Sequence, residues 1–410
     1  MLRVDGARLQ QDMHGLAAYG PAAGGGFNRL YLSGPDLAAR AWLIEQFERA
    51  GLRVHTDDAW NIFGRWEGSA DLPAVLTGSH IDTVIQGGGF DGVLGVLGAL
   101  EAIRSLREAG YSPKRTIELA CFGGEEPVRF GKGMLGSRVL AGRLGLDDAE
   151  RLVDLDGVRL AQALRDAGRD PGRLGAARLD PAAYAAFVEL HIEQGPVLEE
   201  AQVPLGVVDV IAGSALAQVS VEGVTAHAGA MPMRLRRDAL AAASQMVLAV
   251  EEETRRAVGG NATGTVGSLR PHPGASNVIA GKVDFDIDLR DGDQRIKAQL
   301  AARVRERVEA IAGERGVQVH WEQRTDDPPT PTDPRVRALL VDTSRDHGEA
   351  LEMPSGPFHD AAQIASIMPM GMIFVPSRGG LSHCPEEWTD LDQCVTGVTV
   401  LANALQRLSE

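Results

Sequence analysis

Apolar positions run unbroken through some stretches of the chain and alternate with polar ones through others, and the two patterns divide it. PAVLTGSH (73–80) is a short apolar run ending in polar residues, the signature of a buried strand. Val93, Val96, Leu97, Leu100 and Ile103 then recur at three- and four-residue spacing, which predicts a helix that Gly110 stops. RTIELACFGGEE (115–126) is a strand running into an acidic loop, and AFVELHIEQG (186–195) is another. Strands alternating with helices, with polar residues just past their C-terminal ends, predict an α/β layered domain whose site lies at that edge.

The middle of the chain alternates instead. LAQVSVEG (216–223) and GKVDFDIDLR (281–290) repeat with period two, so one face of their sheet is covered and the other meets polar surroundings. Helical segments near 237–256 and 293–312 separate the strands, GVQVHWEQ (316–323) closes the set, and RTDDPPTPTDP (324–334) reads as a linker. The order β, α, β, β, α, β predicts a small α+β domain of ferredoxin-like layout. GMIFVPS (371–377) and a final helix resume the layered pattern. The expectation is a discontinuous first domain, 1–210 and 325–410, with a second, 211–324, inserted into it.

Composition narrows the function. A chain of 410 residues exceeds one ordinary core, and 44% hydrophobic with 24% charged residues is ordinary for a globular protein. A formal charge of −15 disfavours nucleic acid and anionic membranes as partners and leaves a small molecule as the better expectation. The N-terminal stretch carries no secretory pattern and no apolar run suggests a membrane span, so the expected location is cytoplasmic. Cys121, Cys384 and Cys394 are too few and too scattered for a disulfide framework or a cysteine zinc site.

GSHIDTVIQGGGFDG (78–92) holds two competing chemistries. Gly87, Gly89 and Gly92 spell the G-x-G-x-x-G of a dinucleotide-binding turn, but that turn needs a strand immediately before it and a carboxylate about twenty residues after it. SHIDTVIQ intervenes, and Gly110 and Tyr111 stand where the carboxylate would be. The metal reading has wider support. His80 closes a strand with Asp82 two residues on, a spacing suited to a carboxylate that orients a ligating imidazole. Asp91, the pair Glu125 and Glu126, His191 and His383 also fall at expected strand ends or loops. Oxygen and imidazole donors without thiolate suit Zn, Mn, Co or Ni. Taken singly, each residue is more simply a solvated charge or a satisfied histidine, and it is their joint placement that favours the metal.

GSHIDTV, GGGFDGVLGVLGALEAI, FGGEEPVRFGKGMLGSR, ELHIEQGPVLE, VTAHAGAMPMRLRRDA, NVIAGKVDFDIDLRD and GMIFVPSRGGLSHCPEEWT together resemble the amidase, hydantoinase/carbamoylase branch of the dinuclear (M20-type) metallopeptidases, in the same order from about residue 60 onward. The resemblance implies a mixed-sheet, zinc-peptidase-like catalytic domain and an inserted lid and dimerisation domain. It makes His80 and His191 ligands of one divalent transition metal, Glu126 and His383 ligands of a second, and Asp91 the bridging carboxylate. Glu125 becomes the general base and Asp82 the partner of His80. Substrate contacts fall to Gln194, His227, Asn277 and Arg290, with His227 also at the oxyanion and able to serve a partner's site in a homodimer. Arg290 ends an alternating strand, where a guanidinium fork suits a substrate carboxylate, although the residues without the resemblance favour an ordinary ion pair with Asp288 or Asp291. Peptidase relatives carry a carboxylate at the position of His191, so ELHIEQG favours ureido cleavage.

The implied activity is hydrolysis of N-carbamoyl-L-amino acids to the amino acid, ammonia and carbon dioxide. Allantoate amidohydrolase and β-ureidopropionase are the alternatives, and a non-catalytic binding protein on the same fold is the remote one. Two departures bear on substrate rather than on ligands. Pro357 and Phe358 precede His359 where many relatives have Ala-Gly, and Pro127 and Val128 occupy a loop where small or polar residues are common.

Overall fold

The computed structural model describes residues 3–259 and 261–410. In chain order its strands are β1 (Arg53–Thr56), β2 (Ile62–Trp66), β3 (Ala74–His80), β4 (Ile117–Phe122), β5 (Tyr184–Ile192) and β6 (Leu205–Ile211); then β7 (Gly213–Glu222), β8 (Ala226–His227), β9 (Thr263–His272), β10 (Val278–Ile279), β11 (Lys282–Asp291) and β12 (Gln318–Asp327); then β13 (Thr330–Pro331), β14 (Ala350–Ser355) and β15 (Met370–Val375). The chain divides into two compact units, one of residues up to Asp209 with Thr332–Met353 and Phe358–Glu410, the other of Val210–Pro331 with Pro354–Pro357.

The first unit is built on a mixed sheet in the order β1-β2-β4-β3-β5-β15-β6, with β14 also on β6. Its centre, β4-β3-β5-β15, is parallel. Every residue of β3, β4 and β15 is buried, which explains why these strands read as unbroken apolar runs: helices cover both faces and no polar side is left. Helix Val93–Glu108 is buried on nearly its whole circumference, with the C-terminal helix Leu391–Leu408 packed along it. Because parallel strands end on the same side, β3, β4, β5 and β15 deliver their following loops to one edge.

The second unit is a four-stranded antiparallel sheet in the order β12-β7-β11-β9, and its chain order with helices Ala239–Arg255 and Gln294–Arg315 is the ferredoxin-like β-α-β-β-α-β. Val283, Phe285, Ile287 and Leu289 point to the helices and are buried, while the polar residues between them face away. Asp238 and Asp293 start the two helices by accepting their first free backbone N–H groups. The segment 324–334 is not wholly a linker, since Thr325–Asp327 still pair with Leu216–Ser214 and only the prolines after them end the ladder. No helix among the described residues is long and apolar enough to cross a membrane.

Candidate active site

The edge where the parallel strands end gathers the histidines and carboxylates picked out in the sequence. His80 is the last residue of β3, His191 lies one residue before the end of β5, Glu125 and Glu126 follow β4, and His383 follows β15. Asp91 sits in the loop just before helix Val93–Glu108. Two sets of three donor groups result, His80–Asp91–His191 and Asp91–Glu126–His383, each with its donor atoms within 4.8 Å of one another. Asp91 belongs to both, and its oxygens divide the work. Oδ1 faces His191 Nε2 at 3.2 Å and His80 Nε2 at 3.6 Å, while Oδ2 faces His383 Nε2 at 3.1 Å. His383 Nε2 lies 3.4 Å from Glu126 Oε1.

The ring tautomers follow from the backbone. His80 Nδ1 is 3.0 Å from the carbonyl of Asp82, and His191 Nδ1 is 2.8 Å from the carbonyl of Ile192, contacts a ring nitrogen makes only as a donor. In the neutral rings the lone pairs are then on Nε2, and the Gly92 N–H donates to that atom of His191 at 3.1 Å. Lone pairs aimed at a carboxylate oxygen need a proton or a cation between them. Without a cation the electrostatics take the proton: burial disfavours charge, but hydrogen bonds to three imidazoles hold Asp91 well below the usual carboxylate range, and His80 and His191 rise. Burial pushes Glu125 well above its ordinary value and Glu126 up to about 7, each raised further by neighbouring carboxylates. Divalent cations would relieve the same repulsion, and the imidazole and carboxylate donors fit transition metals.

Asp82 corrects one expectation. Its carboxylate is 3.8 Å from His80 Nδ1 and bonds elsewhere, accepting the backbone N–H of Glu125 at 3.3 Å and of Glu126 at 3.0 Å. It steadies His80 through its carbonyl and fixes the acidic loop with its side chain. Behind it stands Arg40, fully buried, 3.9 Å from Asp82 and bonded to Asp36 and to the carbonyls of Trp60 and Phe122. Nothing in the sequence near residue 40 points to this; helix Gly34–Arg49 brings the guanidinium in from 42 positions away.

The glycines of 87–92 serve space rather than a nucleotide. Gly92 has φ 66°, and a Cβ there would lie 2.5 Å from the His80 ring. A Cβ on Gly88 would lie 2.0 Å from Glu387 Oε1. Glu387, not anticipated from the sequence, is buried and accepts the backbone N–H groups of Phe90 and Asp91. His359 is a second such residue: its ring is 4.5 Å from that of His191, centroid to centroid, and with Glu189 the two form a third cluster of donors.

Gln194 adopts φ 59° and donates Nε2 to Asp91 Oδ2 at 2.8 Å; its Oε1 is buried without a hydrogen-bond partner. His227, Asn277 and Arg290 belong to the second unit. His227 pairs with Val278 between β8 and β10, next to Asn277, whose carbonyl accepts the Ala228 N–H. Arg290 forms the ion pair that its neighbours allow, at 2.8 Å with Asp288, and donates to the Gly356 carbonyl. It also lines a cavity of about 670 Å³ on the polar face of the sheet, shared with Pro357.

The profile of peptidase family M20/M25/M40 matches residues 76–407. An N-carbamoyl-L-amino acid amidohydrolase of Geobacillus stearothermophilus is 41% identical over 99% of this chain and 99% of its own length. A ureidoglycolate hydrolase of Arabidopsis thaliana is 39% identical over 100% of this chain and 87% of its own. Among solved structures, a hydantoinase/carbamoylase family amidase from Burkholderia multivorans superimposes with a TM-score of 0.91 at 35% identity, covering 100% of this chain and 98% of that one.

Proposed function

Since the chain belongs to peptidase family M20/M25/M40, and within it to the hydantoinase/carbamoylase amidases, we propose that it hydrolyses the ureido C–N bond of N-carbamoyl-L-amino acids. The products are the amino acid, ammonia and carbon dioxide. The observation that carries the reading is the pair of donor sets joined through Asp91. His80, His191 and Asp91 would hold one divalent transition-metal ion, and Glu126, His383 and Asp91 a second, each Zn, Mn, Co or Ni. Such ions polarise a carbonyl and lower the pKa of water toward neutrality.

The chain's own groups supply the rest. Glu125 belongs to neither donor set, and its Oε2 is 3.8 Å from His80 Nε2, so its carboxylate is available to take a proton from water and return it to the leaving nitrogen. Asp82 holds the backbone that carries it. Gln194 Oε1 is a buried acceptor without a donor, next to Asp91, and a ureido N–H would satisfy it. His227 at the oxyanion, with Asn277 and Arg290 at the carboxylate, would join from the inserted unit acting as a lid and as the dimer-forming element. Arg290 can exchange its Asp288 pair for a substrate carboxylate because both partners are only partly buried.

The ureidoglycolate hydrolase relative favours a second reading, in which a smaller ureido acid is the substrate. Ammonia release from N-carbamoyl-L-amino acids, their D forms, N-carbamoyl-β-alanine, allantoate and ureidoglycolate separates the two. Turnover of L-carbamoyl amino acids is the expected result. Activity confined to allantoate or ureidoglycolate moves the assignment, and no activity with any metal supplied leaves a binding protein.

A further inference from the structure

Glu387 is a buried acid, next to Asp91, that none of the proposed catalytic or ligand roles uses. It lies four residues after His383, and its two oxygens face two different segments. Oε1 accepts the N–H of Phe90 at 2.9 Å and of Asp91 at 3.0 Å; Oε2 accepts the hydroxyl of Ser382 at 2.7 Å. Ser382 in turn receives Gln194 Nε2 at 3.3 Å, and that amide nitrogen also donates to Asp91 Oδ2. The result is a closed ring of hydrogen bonds, from Asp91 through Glu387, Ser382 and Gln194 back to Asp91.

The ring is built at some cost. The chain turns through φ 57° at His383, a conformation that disfavours a side chain, and Gly88 must be a glycine for Glu387 to enter at all, since a Cβ there would also lie 2.4 Å from the Glu387 Cβ. His383 itself is half exposed and lies on a loop, whereas His80 and His191 are buried on strands. Of the two donor sets, the one containing His383 is therefore the one with least support of its own.

We propose that Glu387 is a positioning residue that holds Asp91 and the Ser382–His383 turn in one fixed geometry, and so sets the affinity of the ion on the Glu126–His383 side. The inference rests on the two-ion reading given above. Asp91 and His383 are two of that ion's three donors, so loosening them should release it first, while His80 and His191 keep the other.

Ion content after loading with Mn²⁺ or Zn²⁺ and desalting, together with competitive chelator titrations, tests this without reference to turnover. The wild type should hold two ions. Glu387→Ala should hold one, with the second bound about 10–100-fold more weakly. Gly88→Ala, which expels the Glu387 carboxylate without altering it, should give the same pattern, and Ser382→Ala a smaller loss in the same direction. Melting of the metal-free forms should be little changed in Ser382→Ala, which keeps the test open if Glu387→Ala folds poorly. Two ions of unchanged affinity in Gly88→Ala and Ser382→Ala overturn the inference, as does equal weakening of both ions. A wild type that binds no ion overturns the two-ion reading with it.

Discussion

Glu125 and Glu126 are adjacent in the chain and face different partners: Glu126 lies 3.4 Å from His383 in a donor set, and Glu125 lies outside both sets. Glu125→Gln should therefore keep both ions and lose about 10²–10⁴-fold in kcat, because an amide cannot take up the proton. Glu126→Gln should lose an ion as well as rate. Metal content measured beside kcat distinguishes them, and a Glu125→Gln protein emptied of metal would exchange the two roles. At this scale the sequence was most informative where a residue sits in a recognisable motif. His80, Asp91, Glu126, His191 and His383 stood out in GSHIDTV, GGGFDG, FGGEE, ELHIEQG and GGLSHCPEE, two of them on strands and three in loops. Arg40 and Glu387 were not, since each acts on backbone or carboxylates far away in sequence and leaves no local pattern. The role of Asp82 was half legible: H-x-D spacing suggests contact with His80, but only the fold shows that the loop amides of Glu125 and Glu126 claim the carboxylate.

Among elements, the turn from Asp91 into helix Val93–Glu108 does the most to shape the site. Gly92 precedes the helix with no side-chain cap, because the space a cap would fill belongs to the His80 ring. Gly92→Ala forces both a positive φ and a clash, whereas Gly110→Ala, just past the other end of the same helix, forces a positive φ with nothing within 4 Å. Both should lose about 1–2 kcal/mol of stability or somewhat more for Gly92. Only Gly92→Ala should weaken metal binding, and equal metal affinity in the two variants would show that the His80 ring has room to move. Continuous and alternating apolar runs separated the parallel core from the antiparallel unit well, because burial on two faces or one is what those patterns record. Edge strands were harder to see. TGTVGSLRPH, which forms β9 at the rim of its sheet, mixes two glycines and a proline into a half-exposed strand, and the four residues of β1 have only one neighbour to pack against.

At the scale of the molecule, the donor sets lie in one unit while His227, Asn277 and Arg290 lie in the other, so the proposed chemistry needs contributions from both. The change from continuous to alternating runs marks where the two kinds of sheet meet along the chain, but which chain supplies His227 is not encoded in any local pattern, since symmetry between copies leaves no mark on a single sequence. Mixing two inactive variants decides it. Glu125→Gln lacks the base, and His227→Ala lacks the oxyanion group. If His227 serves the partner's site in a homodimer, a mixed dimer has one site with both defects and one with neither. Random reassociation of equal amounts should then restore about a quarter of wild-type sites. If His227 serves its own chain, every site in the mixture carries one defect and activity stays at the level of the separate variants. Size-exclusion chromatography of the mixture establishes that the chains associate, and a tagged copy of one variant confirms that they have exchanged. Recovery in exchanged dimers would make the catalytic unit the dimer rather than the chain; no recovery in dimers known to have exchanged would return His227 to its own chain and leave dimerisation without a part in the chemistry.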